Sequence, residues 1–589
     1  GIRYQPRSRG LGDVYKRQDL EKLALKWALK NAMDHDGRAM LGPVISKILG
    51  EKPELRSEIR RVKEAAEKAV EKVNRMSLEE QRRLLEEIAP ELLKARKVEE
   101  KRLPPLPGAE RGKVVTRLPP EPSGYMHIGH AMSGLLNYLY ARMYDGRIWL
   151  RFEDTDPRKV KPEYYESFRR GYRWLGIEWD HEKNNSDDME LFYKYAEQLI
   201  KMGKAYVCTC PVEKVRRLRA SGEPCEHRNL GRDENLSLWN DMLAGGFREG
   251  EATLRLVGDM RSKNMTMRDP ALFRIIEHPH PLTGDRYRVW PLYDFAVSIE
   301  DHLCGVTHVL RTSEFAPRDE LQNYIRDLLG MRNPIYIEYS RFEFKGTPVS
   351  KRKLRAIIEA GIASSWDDPR FPTIEGIRRR GILPEAIREF TISQTGFSYA
   401  KREYDWSLLF AINRRLLDPK ARRLFFVPDP VKLVIEDAPR LTIDAPYHPS
   451  NPDLGSRRIE AFQEFYIAGS DAEKMEQGSI YRLKYLLNFE VIAKDPGGAI
   501  RGRFLGREPM KDIQIIQWVP AESFVELEVI VPDVLYHNDE VNPESLKIVK
   551  GYGERAVESV RVDEIVQFER FGFCRRDSAE ELRFIKAHD

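Results

Sequence analysis

The sequence predicts an α/β chain: a central parallel sheet with crossover helices, a helical domain ahead of it, and a β-rich region of barrels behind it. Three observations carry that expectation. Residues 20–101 repeat apolar side chains at spacings of three and four; from residue 113 strand-like and helix-like segments alternate; beyond about residue 424 short apolar runs are separated by Pro, Gly and Asp. A chain of 589 residues exceeds a single core and implies several domains. The composition, 41% apolar and 32% charged, is that of a globular protein, and no run of ~20 apolar residues offers a membrane span. The formal charge of +5 is small for this size, and a pI near 8.7 permits a polyanionic partner. Five cysteines argue against a disulfide framework and for a reducing compartment such as the cytoplasm.

Taken in order, residues 1–18 (GIRYQPRSRGLGDVYKRQ) are Arg- and Gly-rich without periodicity and read as a disordered leader or a remnant. Residues 19–101 read as a helical domain, with Ser77 and Glu80 spaced as a capping box, and 102–112 (RLPPLPGAERG) as a linker. The first half of the sheet domain spans 113–204: KVVTRL as a strand, AMSGLLNYLYARMY as a helix, GRIWLRFED and EYYESFRRGYRWLG as the next pair. Residues 205–285 interrupt the pattern, and it resumes over 286–350. A helical connective segment follows at 351–423, then the β-rich region at 424–589.

Between the first strand and its helix stands PPEPSGYMHIGHA, residues 119–131. A strand-turn-helix junction offers phosphates its backbone N–H groups and the positive end of a helix. Gly124 suits a tight turn and Gly129 a close approach of a nucleotide to the backbone. His127 and His130, three apart, share one face of the first helical turn, where both imidazoles could donate to a phosphate gaining charge. The alternative is a pair of histidines that only cap the helix.

TRLPPEPSGYMHIGHA resembles the first signature of class I aminoacyl-tRNA synthetases, in the form of the glutamyl and glutaminyl enzymes. WLRFEDTDPRK, VWPLYDFAVSIEDHLCGVTHVLRTSEF and EYSRFEFKGTPVSKRKL follow in that family's order. The helical N-terminal domain and β-rich C-terminus resemble the archaeal and eukaryotic-type glutamyl-tRNA synthetase branch, over about 20–589. The resemblance implies a Rossmann-type catalytic sheet with an inserted acceptor-binding domain at 205–285, and anticodon-binding β-barrels at the C-terminus. It implies a glutamate–tRNA ligase that activates L-glutamate with ATP and Mg²⁺ and transfers it to tRNA(Glu), with tRNA(Gln) a further substrate left open. It also implies a monomer.

By the same resemblance Pro122, Gly124, His127, Gly129, His130, Ser350 and Lys351 hold ATP, with His127, His130 and Lys351 catalytic. Pro348 stands where the usual K-M-S-K-S signature has its first lysine. Arg117, Glu153, Tyr293 and Arg311 line the amino-acid pocket, Glu153 accepting from the substrate ammonium. Arg311 is the discriminator: glutaminyl relatives place a small uncharged residue there, and charge separates an acid from its nearly isosteric amide where shape cannot. The alternative for Arg311 is a structural ion pair. Asp154 and Asp156 read as side-chain caps of a helix start.

Cys208, Cys210, Cys225 and His227 form C-x-C-x14-C-x-H, a donor set that fits a closed tetrahedral Zn²⁺ site; unbound thiols are the alternative. Arg414, Arg415, Arg422, Arg423, Arg501, Arg503 and Arg507, with Phe504 and Trp518, are candidates for reading single-stranded bases. Rival readings are a glutaminyl-tRNA synthetase, a nucleotidyltransferase sharing the HxGH chemistry, and an inactive tRNA-binding paralogue.

Overall fold

A computed structural model describes the chain apart from residues 1–10, 34–36, 53–54, 56–57, 90–91, 93–102, 348–350, 395–401, 496 and 539, and gives backbone alone for 11–18. It divides into two compact units, residues 1–101 and 102–589. No described helix is long and apolar enough to cross a membrane.

The first unit holds α1 (Leu11–Met33), α2 (Leu41–Glu51), α3 (Ile59–Asn74) and α4 (Leu78–Ile88). Ala24, Ala28 and Ala32 lie on one buried face of α1, and small side chains at i, i+4, i+8 bring helices close. The expected capping box opens α4: Glu80 N donates to Ser77 Oγ, and Ser77 N to the Glu80 carboxylate at 2.8 Å. Residues 11–18, read from the sequence as leader, belong to α1. Once residues 19–33 nucleate a helix, extending it upstream costs little, and no proline intervenes.

The second unit begins with the parallel strands β1 (Val115–Leu118), β2 (Arg147–Phe152) and β3 (His181–Asn184), ordered β1-β2-β3 and joined by α5 (Ile128–Met143) and α6 (Pro162–Trp174). Next come α7 (Met189–Lys201), β4 (Ala205–Cys208), α8 (Val212–Ser221), α9 (Arg232–Ala244), β5 (Thr253–Leu256), β6 (Ala271–Ile275) and β7 (Val289–Pro291). Strands β4 to β7 form an antiparallel sheet, so the interruption runs on to Pro291. The first pattern then returns with α10 (Tyr293–Leu303), β8 (His308–Thr312), α11 (Asp319–Leu328) and β9 (Ile335–Tyr339). Strands β8 and β9 pair in parallel, and Thr307 N donates to Val115 O at 2.9 Å, setting β8 beside β1. Strand order thus reverses at β1, where an α/β sheet opens a crevice.

Then follow β10 (Phe342–Phe344), α12 (Lys351–Glu359), α13 (Ile374–Arg380), α14 (Pro384–Gln394), β11 (Arg402–Tyr404) and α15 (Trp406–Leu417). Beyond them lie two seven-stranded, barrel-like sheets. The chain enters one at 423–428, builds the other from 430 to 520, and returns to the first. A hairpin of the first sheet packs against α12: Leu535 is wholly buried among Leu354, Ile357 and Phe371, and Tyr536 N donates to Gly346 O at 3.1 Å. Trp518, read from the sequence as a stacking ring, is instead a core side chain. It is wholly buried and its Nε1 donates to Lys484 O at 2.9 Å. Arg422 and Arg423 are paired with Glu564 and Asp418, whereas Arg503 and Arg507 are exposed.

Candidate active site

The turn between β1 and α5 is shaped by its own side chains. His127 is the N-cap of α5, its Nδ1 accepting from Gly129 N at 3.1 Å, while His127 N donates to His130 Nδ1 at 3.3 Å. The two rings stack with centroids 3.7 Å apart. Burial, with Lys351 and Arg341 nearby, depresses the His127 pKa to about 3, and burial holds that of His130 well below its ordinary value. Both rings are therefore neutral, and because each Nδ1 accepts, each proton sits on Nε2. Capping the helix and presenting an N–H donor are one arrangement.

Gly129 has a nearer purpose than a bound nucleotide: a Cβ there would lie 3.0 Å from Cε1 of His127. Gly124 likewise makes room, since its Cβ would lie 2.7 Å from Cδ and Cε of Lys351. Lys351 donates through Nζ to Ser123 Oγ, which donates to Glu121 at 2.6 Å. Burial, with Lys159 and Arg355 nearby, lowers the Lys351 pKa against the pull of Glu121. The turn is held from outside as well: Ile128 N donates to Pro372 O and Ile374 N to Met126 O, both at 2.9 Å.

A cavity of about 730 Å³ opens beside this turn. His127, Gly129, His130, Arg117, Glu153, Tyr293 and Arg311 all line it. Pro122, Gly124 and Lys351 do not: the first two belong to the turn and Lys351, on α12, lies against it, while Ser350 lies outside the described residues. Arg311 donates to Gln322 Oε1 at 3.0 Å and to Asp319, and its guanidinium lies 4.7 Å over the Tyr336 ring. Arg117 is 1% exposed and donates to Asp301 at 3.3 Å. Burial pushes the Glu153 carboxyl up to about 7 against the pull of Arg151 and Arg117, and burial also raises the Tyr293 hydroxyl. One end of this cavity thus offers neutral N–H donors suited to phosphate oxygens, and the wall carrying Arg117 and Arg311 suits a carboxylate.

Sequence reasoning missed the floor beneath. Arg151 and Arg326 are wholly buried and, with Arg117, converge on Asp301. The signals were present: an arginine inside the apolar strand RIWLRF, and an acid four residues after Val297 on the buried face of α10. Asp154 is structural, though not as a helix cap. It accepts from Ser186 N at 2.8 Å, Ser186 Oγ at 2.7 Å and Tyr165 at 2.9 Å, whereas the N-cap of α6 is Lys161, without a side-chain bond. Asp156 is an ion-pair partner of Arg274 at 2.9 Å, not a cap.

Residues 113–419 match the family described as tRNA synthetases class I (E and Q), catalytic domain; 421–504 and 515–577 match two families described as their anti-codon binding domain. A glutamate–tRNA ligase of Pyrococcus furiosus is 45% identical over 580 residues, covering 96% of this chain and 99% of its own. Those of Nitrosopumilus maritimus and Korarchaeum cryptofilum are 43% and 42% identical, over 95% and 97% of this chain and 98% and 100% of theirs. The chain belongs to the class I E and Q tRNA synthetases.

Inside the catalytic domain of this synthetase, the insertion carries a second cluster. The donor atoms of Cys208, Cys210, Cys225 and His227 all lie within 4.8 Å of one another. Cys208 Sγ and Cys225 Sγ are 3.7 Å apart, and Thr209 Oγ1 lies 2.9 Å from His227 Nε2, which turns Nδ1 toward the three sulfurs. Edges of that length suit four ligands around one tetrahedral ion.

Gly124→Ala tests the turn. Its backbone has no positive φ, so alanine is tolerated locally, but the methyl displaces the Lys351 side chain. The thermal midpoint is expected to stay or rise slightly while ATP-dependent aminoacylation falls about tenfold. Undiminished aminoacylation would show that Lys351 need not lie over the turn.

Proposed function

We propose that the chain activates L-glutamate with ATP and transfers it to tRNA(Glu), as a monomer in the cytoplasm. The observation that carries this reading is the meeting of Arg117, Glu153, Tyr293 and Arg311 on the wall of the cavity that also holds His127 and His130. In-line displacement at phosphorus needs positioning and charge neutralisation more than covalent help. The Nε2–H groups of His127 and His130 donate to phosphate oxygens, and Lys351 neutralises the pyrophosphate side. Mg²⁺ would enter with ATP and would supply charge neutralisation to its phosphates. Glu153, ionised, receives the substrate ammonium; Arg117 and Arg311 face its side-chain carboxylate. The relatives that are called glutamate–tRNA ligases, matched along nearly their whole length, support the same reading. The two β-rich sheets, with exposed Arg503 and Arg507, contact the anticodon.

Cys208, Cys210, Cys225 and His227 would hold a structural Zn²⁺, which would stiffen the insertion proposed to meet the tRNA acceptor end. With three thiolates and one imidazole supplied by the protein, the ion would serve structure rather than catalysis.

Charging of total tRNA with labelled glutamate or labelled glutamine, with and without ATP, decides the main reading. ATP-dependent charging with glutamate is expected; charging with glutamine instead, or none, overturns it. Arg311→Cys should cut glutamate charging by about tenfold or more and narrow the preference over glutamine. Unchanged discrimination in that variant would reduce Arg311 to an ion-pair partner of Asp319. For the insertion, elemental analysis after chelator treatment and dialysis should still find about one equivalent of zinc. Under a tenth of an equivalent removes the metal from the account.

A further inference from the structure

We infer that Asp301 is the positioning residue of the amino-acid pocket, one buried carboxylate that aims both of its arginines. This rests on the reading of the cavity as a glutamate site. Asp301 is 1% exposed and does not line the cavity, so it acts only through other groups. Its Oδ1 accepts from Arg151 at 2.7 Å and from Arg117 Nε at 3.3 Å; its Oδ2 accepts from Arg326 at 3.4 Å.

Two arms run outward from there. In one, Arg117 itself lines the cavity, and Arg151 passes on to Glu153 through a 3.1 Å bond. In the other, Arg326 donates to the Tyr336 hydroxyl at 2.7 Å, and the Tyr336 ring lies beneath the Arg311 guanidinium. Tyr293, the fourth pocket residue, sits on the same helix as Asp301. All four pocket side chains are therefore referenced to one helix. Removing the charge leaves Arg117, Arg151 and Arg326 mutually repelling in a dry site, where a displacement of an ångström is costly to binding and rate.

The groups that face Glu153 are Arg117 on β1, Arg151 on β2, and Asp301 and Tyr293 on α10. A free enzyme that needs ionised Glu153 gains kcat/KM for glutamate as pH rises through about 7. Asp301 raises that carboxyl, so neutralising Asp301 moves the acidic limb to lower pH.

Asp301→Asn, nearly isosteric and uncharged, is the test, with steady-state charging at several glutamate and ATP concentrations between pH 5.5 and 8.5. Expected are a KM for glutamate raised about tenfold, a KM for ATP within about twofold of the wild type, and an acidic limb displaced downward by about half a pH unit or more. Constants for both substrates moving together, or a limb that stays in place, overturn the role of Asp301. Where this variant does not fold, Tyr336→Phe decides: it keeps the ring under Arg311 and removes the hydroxyl from Arg326. An about threefold rise in KM for glutamate alone supports the inference, and unchanged constants overturn it. Failure of the wild-type protein to charge glutamate at all would strike the reading of the cavity instead.

Discussion

Charge taken out of water must be matched on the spot, and in this molecule that requirement is concentrated at Asp301. Desolvation costs several kcal/mol per ion, so three buried guanidiniums survive only in register with their carboxylate. Burial alone would push the Asp301 pKa up, yet Arg117, Arg151 and Arg326 hold it down to about 2. Those arginines come from β1, β2 and α11, and the acid from α10. The cluster therefore fixes how α10 and α11 lie against the sheet before any ligand is considered. Breaking one partner would leave uncompensated charge rather than merely a lost bond.

A second economy governs the turn. A histidine at an N-cap must accept from the helix backbone, and an acceptor Nδ1 forces the neutral ring's proton onto Nε2. The structural explanation of the His127 and His130 pair and its chemical explanation are then the same hydrogen bonds. Depressed pKa values keep both rings from charging across the ordinary pH range, so the donors do not switch. Gly124 and Gly129 serve this arrangement by standing aside for Lys351 and for the His127 ring.

What could be read from the sequence was what lies close together in it. The helical text of residues 19–101, the strand-turn-helix at 115–143 and the four-ligand spacing at 208–227 are local patterns, and among the described residues each reappears as a local object. Arg117, Glu153, Tyr293 and Arg311 were found because family signatures mark them, not because periodicity does. The floor was not legible: Asp301 meets Arg117 from 184 residues away and Arg151 from 150, separations no window spans. Lys351 reaching Ser123 across 228 residues is of the same kind. Trp518 was misread for the converse reason. An aromatic among basic residues resembles a stacking platform locally, but burial is decided by strand partners such as residues 464–468. The start of α1 was misplaced because composition near Leu11 suggests disorder while helix propagation from downstream does not depend on it.

The same charge count bears on why an acid and not its amide suits the proposed pocket. Around Asp301 three guanidiniums meet the carboxylates of Asp301 and Glu153, and the buried Glu300, paired with Lys183, also acts on Arg151. At Arg311 two acids stand near, Glu338 at 3.9 Å and Asp319, whose pKa burial raises, so its negative charge is held at a cost. In the proposed pocket a ligand bearing an ammonium and a side-chain carboxylate meets both walls: the ammonium favours the ionised form of Glu153, and the carboxylate accepts from Arg117 and Arg311. An amide of the same shape keeps the first contact but not the charge of the second, and its NH₂ would meet donors with a donor. Selectivity then depends on Arg117 and Arg311 keeping N–H groups for the cavity while others stay bonded to Asp301 and Asp319.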